Sequence, residues 1–206
     1  LDLGVSSMQL DEGERGFSFN KDAALNMQMG LNNVSAYNIV NETAEEDLAN
    51  IIFQYGEERE SRKIARRICR AREKSSIETT LQLAEIVEQA KSFKRNRKIH
   101  PATKSFQAFR IFINNELNEI TDSLQQAKKL LKKNGIIVVI SFHSLEDNLV
   151  KNFFKPHNVE YPKDIPINPI KSQEFKCIAK KIRATEDEVN INPRSRSAIM
   201  RVFKKL

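Results

Sequence analysis

Apolar positions recur at helical spacing through most of this chain and run together or alternate in only a few short stretches. Residues 35–90 carry three helices. Leu48, Ile51, Ile52 and Tyr55 share a face of the first, which opens at the capping-box pattern Thr43-Ala44-Glu45-Glu46 and stops at Gly56. The second covers 57–73, and the third covers 80–90 with Leu81, Ala84 and Val87 turned inward. Phe106, Phe109, Ile113, Leu117, Ile120, Leu124 and Leu131 predict one long amphipathic helix ending at Asn134-Gly135. The apolar, largely β-branched run from Ile136 to Ile140, followed by Ser141, predicts a buried parallel strand. Ser144-Leu145-Glu146-Asp147 caps a further helix bearing Leu149, Phe153 and Phe154, which Pro156 stops. Residues 9–26 and 159–172 read as loops. Residues 175–180 and 197–204 alternate as two antiparallel strands.

The first seven residues, LDLGVSS, look like the end of a buried strand opening into a binding loop, with Asp2 on the rim where open α/β sheets hold ligands. The order is therefore strand, helical block, helix, strand, helix and strand pair. That order predicts the second half of a doubly wound α/β sheet, interrupted by an all-helical insertion. The expected domains are 1–29 (strand end and active-site loop), 30–99 (helical insert) and 100–206 (the rest of the sheet domain). A parallel strand at residue 1 needs neighbours that no preceding residue supplies, so a truncated sheet is expected.

Charge narrows the partner. The chain carries a formal net charge of +7 and a pI near 9.4, which favours an anionic partner. Arg59, Arg62, Lys63, Arg66, Arg67, Arg70 and Lys74 lie together at helical spacing, opposite Ile64, Ala65, Ile68 and Cys69. That stripe is either a phosphate-backbone footprint or a solvated helix face. Lys94, Arg95, Arg97, Lys98 and His100 form a second patch close by in sequence. No apolar run approaches the length of a membrane span. Cys69 and Cys177 stand apart, with no metal-ligand spacing, as expected for reduced thiols in a cytoplasmic protein.

Five stretches, LDLGVSSMQLDEGERGFSF, YGEERESRKIARRI, HPATKSFQAFRIFINNEL, ISFHSLED and NPRSRSAIMRV, resemble in order the signatures of the RsmH (MraW) family. These are bacterial methyltransferases acting on the N4 amine of a cytidine in small-subunit ribosomal RNA. The resemblance implies a class I S-adenosylmethionine methyltransferase (Rossmann-like) fold with a helical insert, S-adenosyl-L-methionine as cofactor, 16S rRNA in the small ribosomal subunit as partner, and a homodimer as one open assembly. It also implies that the glycine-rich cofactor segment precedes residue 1. A non-catalytic RNA-binding or assembly remnant is the alternative.

The resemblance assigns Asp2, Gly4 and Gln9 to the cofactor site. The N4 amine is a weak nucleophile because its lone pair is delocalised into the ring, so a carboxylate that accepts an N–H bond would localise that pair. Asp2 is the candidate for this catalytic role. The prolines and aromatic common in amino-group methyltransferases are missing there, and Phe17 or Phe19 is the nearest stacking partner for the base. Both could instead be core, and Asp2 could simply cap its loop. Arg62, Arg66, Arg70, Arg194 and Arg196 are the candidate RNA contacts. His143, on the same rim, is expected to pin the loop to a backbone carbonyl rather than act as a base.

Overall fold

Short polar side chains set where the helices begin. In the computed structural model, which describes residues 1–30, 33–92, 99–156 and 174–206, Ser35 and Thr79 accept bonds from backbone N–H groups three residues on. Asn38 and Gln82 return the bond. These reciprocal caps satisfy donors that a helix start leaves bare, and they open α2 (Ala36–Glu42) and α5 (Thr80–Ala90). The helix α3 (Glu45–Gly56) starts instead from Ala44 without a side-chain cap bond, so the Thr43 capping box does not form. Glu45, Glu46 and Asp47 fill its first turn, where the helix dipole favours acids. The short α1 (Ser7–Asp11), α4 (Ser61–Arg72) and α6 (Thr103–Ile113) complete the helices before residue 114.

The chain divides into two compact units, Val5–Glu116 and Leu1–Gly4 with Leu117–Leu206. The helical unit is wider than the expected 30–99, because the loop after residue 4 and α6 belong to it. Met27, Leu48, Ile52, Ile64, Ile68, Leu83 and Phe109 are its innermost side chains. On α5, Ala84 and Val87 are buried as expected, but the leucine beside them is Leu83, and Leu81 lies 41% exposed. The buried Thr80 decides this rotation: its hydroxyl donates to the Lys21 carbonyl and accepts from the Ala23 N–H, which turns Leu83, Ala84 and Val87 inward. Gly56 has a packing role. A Cβ there would lie 2.5 Å from the Lys104 carbonyl oxygen at the start of α6, and the left-handed residue that ends α3 is Glu57, with φ 49°.

The predicted long helix is broken. Asn115 takes φ 50°, and the Asn114 amide donates to the Met27 and Arg110 carbonyls while accepting the Met29 N–H at 2.7 Å. A new helix, α7 (Glu116–Leu130), follows. Periodicity continues through the break, which is why the pattern hid it.

The second unit holds a three-stranded sheet of order β1-β3-β2, with β1 (Ile136–Ser141), β2 (Phe175–Arg183) and β3 (Ile199–Lys205) antiparallel throughout. The parallel neighbour expected for β1 is the start of the chain. Asp2 bridges Ile140 in parallel, the Leu3 N–H donates to the Ile140 carbonyl, and the Ile140 N–H donates to the Leu1 carbonyl. The expectation of full burial fails for β1. Ile137 and Val139 face a core with Leu3, Ile120, Leu124, Val150, Phe154, Phe175 and Phe203, whereas Ile136 and Val138 are exposed. Helix α8 (Ser144–Phe153) follows β1. The antiparallel pairing of β2 and β3 is as expected, but α9 (Glu186–Ile191) and a 3-10 turn (Pro193–Ser197), which the alternation did not reveal, join them. The fold is thus α/β, mostly helical, with a small sheet. No helix among the described residues is long and apolar enough to cross a membrane.

Candidate functional site

Strand direction gathers several candidates of the sheet unit at one end. Parallel pairing sends Leu3-Gly4 and Ser141-Phe142 out of the sheet on the same side. Ile199, first in β3, stands opposite both Ser141 and Arg183, so the end of β2 and the turn carrying Arg194 and Arg196 lie there too. Asp2 is exposed at this rim and its carboxylate has no hydrogen-bond or ion-pair partner among the described residues. Gly4 follows at φ 80°, a conformation that glycine adopts without strain. Arg194 and Arg196 are exposed, and Ser195 is turned inward with its hydroxyl donating to the Asn192 carbonyl at 2.7 Å.

His143, rather than Ser144, is the cap of α8. Its Nδ1 accepts the Glu146 N–H at 3.4 Å, and one oxygen of the fully buried Glu146 carboxylate accepts the Phe142 and His143 N–H groups. The other oxygen lies 3.1 Å from His143 Nε2. The imidazole pins the turn through the Glu146 amide, not through the carbonyl expected. One turn further on, Asp147 holds Arg201 in a buried two-pronged pair at 2.7 and 2.8 Å. The Arg201 hydrogen bonds keep the Asp147 carboxyl below its ordinary pKa against the opposing effect of burial, and the guanidinium is raised in turn. Arg201 also donates to the Lys180 carbonyl.

In the helical unit, Gln9 closes the capping box of α1, its carbonyl oxygen accepting the Ser6 N–H at 2.8 Å. Phe17 lies in the core at 7% exposure, beneath the Arg15 guanidinium, which is the alternative left open for it. Phe19 is half-buried, its ring against His100 and Phe106.

The α4 stripe is real but partly spent on internal bonds. Ile64, Ala65 and Ile68 are buried behind exposed Arg62, Arg66, Arg67 and Arg70. However, Arg66 lies 3.5 Å from Glu45, Lys63 pairs with Glu60, and Arg67 donates to Gln89. Arg62 and Arg70 have no ion-pair partner among the described residues. Lys91 opens the basic segment 91–104 that holds the second patch. It is half-buried, 2.5 Å from the buried Glu58, and donates to the Pro101 carbonyl. Burial opposes ionisation of Glu58, but the Lys91 and Glu60 hydrogen bonds outweigh it and hold the carboxyl below its ordinary pKa. The Ser92 hydroxyl, helped by its N–H and by Lys63, draws Glu60 down to about 2. Lys94, Arg95, Arg97 and Lys98 lie outside the described residues.

Charge is also divided unevenly. The sheet unit has 17 Lys and Arg against 11 Asp and Glu, and the helical unit 17 against 16. The cations that sequence reasoning passed over are Lys176, Lys180, Lys181 and Arg183 on β2. Spaced along a strand, they gave no helical stripe, and their only sequence signal was local density.

A family model described as the MraW methylase family matches residues 1–206. A protein of Rickettsia felis named ribosomal RNA small subunit methyltransferase H is 50% identical over 214 aligned positions, covering 100% of this chain and 69% of that protein. Proteins of the same name from Wolbachia pipientis and Limosilactobacillus fermentum are 46% and 48% identical, each 67% covered.

Proposed function

The chain belongs to the MraW methylase family, and from that membership we propose that it is part of an enzyme methylating the N4 amine of a cytidine in 16S ribosomal RNA from S-adenosylmethionine. In this reading the sheet is part of a class I methyltransferase sheet and 30–99 is its helical insert. The glycine-rich half of the cofactor site falls in the part of its relatives' length that the chain does not span. The enzyme works in the cytoplasm, where Cys69 and Cys177 stay reduced.

Asp2 carries the reading. Its carboxylate is held at the strand exit by backbone pairing with Ile140, exposed and without a competing partner. That suits a group which must accept hydrogen bonds from the cofactor or from the target amine. Within the sheet unit the residues fit such a cofactor: Gly4 turns the backbone tightly beside the exposed Asp2 carboxylate. In the helical unit, Gln9 has its carbonyl oxygen fixed by Ser6 and its amide nitrogen left as a donor. When bound, the cofactor supplies an electrophilic sulfonium methyl. Asp2, by accepting an N4–H bond, localises the amine's lone pair, and the proton leaves once the nitrogen has become an acidic ammonium. Arg62, Arg70, Arg194 and Arg196 hold phosphates, Arg66 contributes less because Glu45 competes for it, and Phe19 stacks on a flipped base.

The test uses the chain extended to its relatives' length, a labelled methyl donor and 16S rRNA, with nuclease digestion and mass spectrometry of the nucleosides. N4-methylcytidine should appear, and Asp2→Ala should lower kcat by about 100- to 1,000-fold, the usual loss for one well-placed polar group. Methyl on any other atom, or full activity in that variant, overturns the assignment. The chain of 206 residues should bind S-adenosylmethionine weakly in calorimetry, and micromolar affinity would contradict the division of the cofactor site.

A further inference from the structure

The edge strand β2 is not regular. Its register against β3 passes from Ala179 opposite Val202 to Ile182 opposite Met200, so Lys180 and Lys181 both lie against the single residue Arg201. Such a bulge re-aims side chains and is common at sheet edges near active sites. This one is held from behind by the Arg201–Asp147 pair, since Arg201 donates to the Lys180 carbonyl while α8 fixes its guanidinium. Lys180, Lys181 and Arg183 are all exposed, and none has an acidic partner within ion-pair distance among the described residues.

We propose that this braced bulge is a second RNA-contact surface, in which Lys180, Lys181 and Arg183 bind consecutive phosphates of the strand that brings the target base to the Asp2 rim. The inference rests on the proposed function and extends it to a surface of the sheet unit. Three observations support it. Arg183 ends its strand opposite Ile199, at the same end of the sheet as Ser141 and Asp2. The sheet unit holds most of the excess positive charge. The buried Asp147 carboxylate is engaged by Arg201 at 2.7 and 2.8 Å, and neither lysine forms an ion pair with it. The exposed acids Glu186, Asp187 and Glu188 at the start of α9 bound the surface, so the phosphate track runs along β2 and not over α9.

The experiment measures binding of a fluorescein-labelled 12-nucleotide single-stranded RNA to the whole chain across a salt series. One variant is K180A/K181A/R183A. The control K129A/K132A/K133A removes equal charge from the other end of the sheet. The first should flatten the slope of log affinity against log salt by about two units, at roughly 0.7 per phosphate contact on a single strand, while the control leaves it unchanged. Equal effects in the two variants would reduce the result to net charge and overturn the surface. An unchanged slope in the β2 variant, with Arg62→Ala/Arg70→Ala still flattening it, overturns this proposal and leaves the proposed function standing. Wild-type chain that binds phosphatidylserine vesicles but not the RNA overturns both. Thermal melting followed by circular dichroism confirms that each variant folds.

Discussion

The two units spend their cations differently. In the helical unit, 17 Lys and Arg meet 16 acids, and part of the conspicuous α4 stripe is paired internally: Arg66 with Glu45, Lys63 with Glu60 and Arg67 with Gln89. In the sheet unit only 11 acids oppose 17 cations, and one of the most buried of them, Asp147, is occupied with Arg201. On α4, Arg62 and Arg70 keep no ion-pair partner among the described residues, and on the strand edge Lys180, Lys181 and Arg183 keep none. What counts for an approaching phosphate is the charge left after internal pairing, not the number of cations.

The buried pairs should show the largest effects. Asp147→Ala leaves Arg201 charged, desolvated and unpaired, and should cost about 3–5 kcal/mol of stability in urea unfolding. A loss below 1 kcal/mol would mean that the pair is open to water. Because the folded Asp147 pKa is depressed, its contribution is fully present above the ordinary carboxylate pKa and is lost as pH falls through the lower folded value. Glu58 has the same sign through Lys91. Acid titration should thus weaken both units, and Glu58→Gln should remove the share of Glu58 while leaving that of Glu60 in the helical unit.

Next come the two leucines of α5. Leu83→Ala should cost about 2–5 kcal/mol, as for other core truncations, whereas Leu81→Ala should stay within about 0.5 kcal/mol. Equal losses would restore the inward face that periodicity suggested. Gly56→Ala should cost about 1–3 kcal/mol, because its methyl would press on the Lys104 carbonyl and force α3 away from α6. Smallest in stability, and most telling for the charge contrast, is the triple replacement of Arg62, Arg66 and Arg70 by Ala. With Arg66 already paired to Glu45, it should flatten the RNA salt slope by about 1.4 units rather than the two expected of three free contacts.

Much of this was legible in residue order. The third helix has the predicted bounds, 80–90, because propensity, cap and apolar spacing agree over a few turns. Strand β1 was visible because a continuous β-branched run has few other uses, and the order of the five motifs was enough to identify the family. The Asp2 rim was legible for the same reason, since a strand exit with an acid and a glycine is a local pattern. Other features depend on contacts between residues far apart in the chain. The inward rotation of α5 comes from Thr80 reaching Lys21 and Ala23, and the break after Ile113 comes from Asn114 reaching Met27 and Met29. The close approach at Gly56 needs α6 beside it, and the β2 bulge needs Arg201 and Asp147 behind it. Helix caps, turns and apolar periods act over a few residues and are written in the chain directly. Which face turns inward, and which cations remain unpaired, follows from hydrogen bonds and burial that exist only once distant segments have packed.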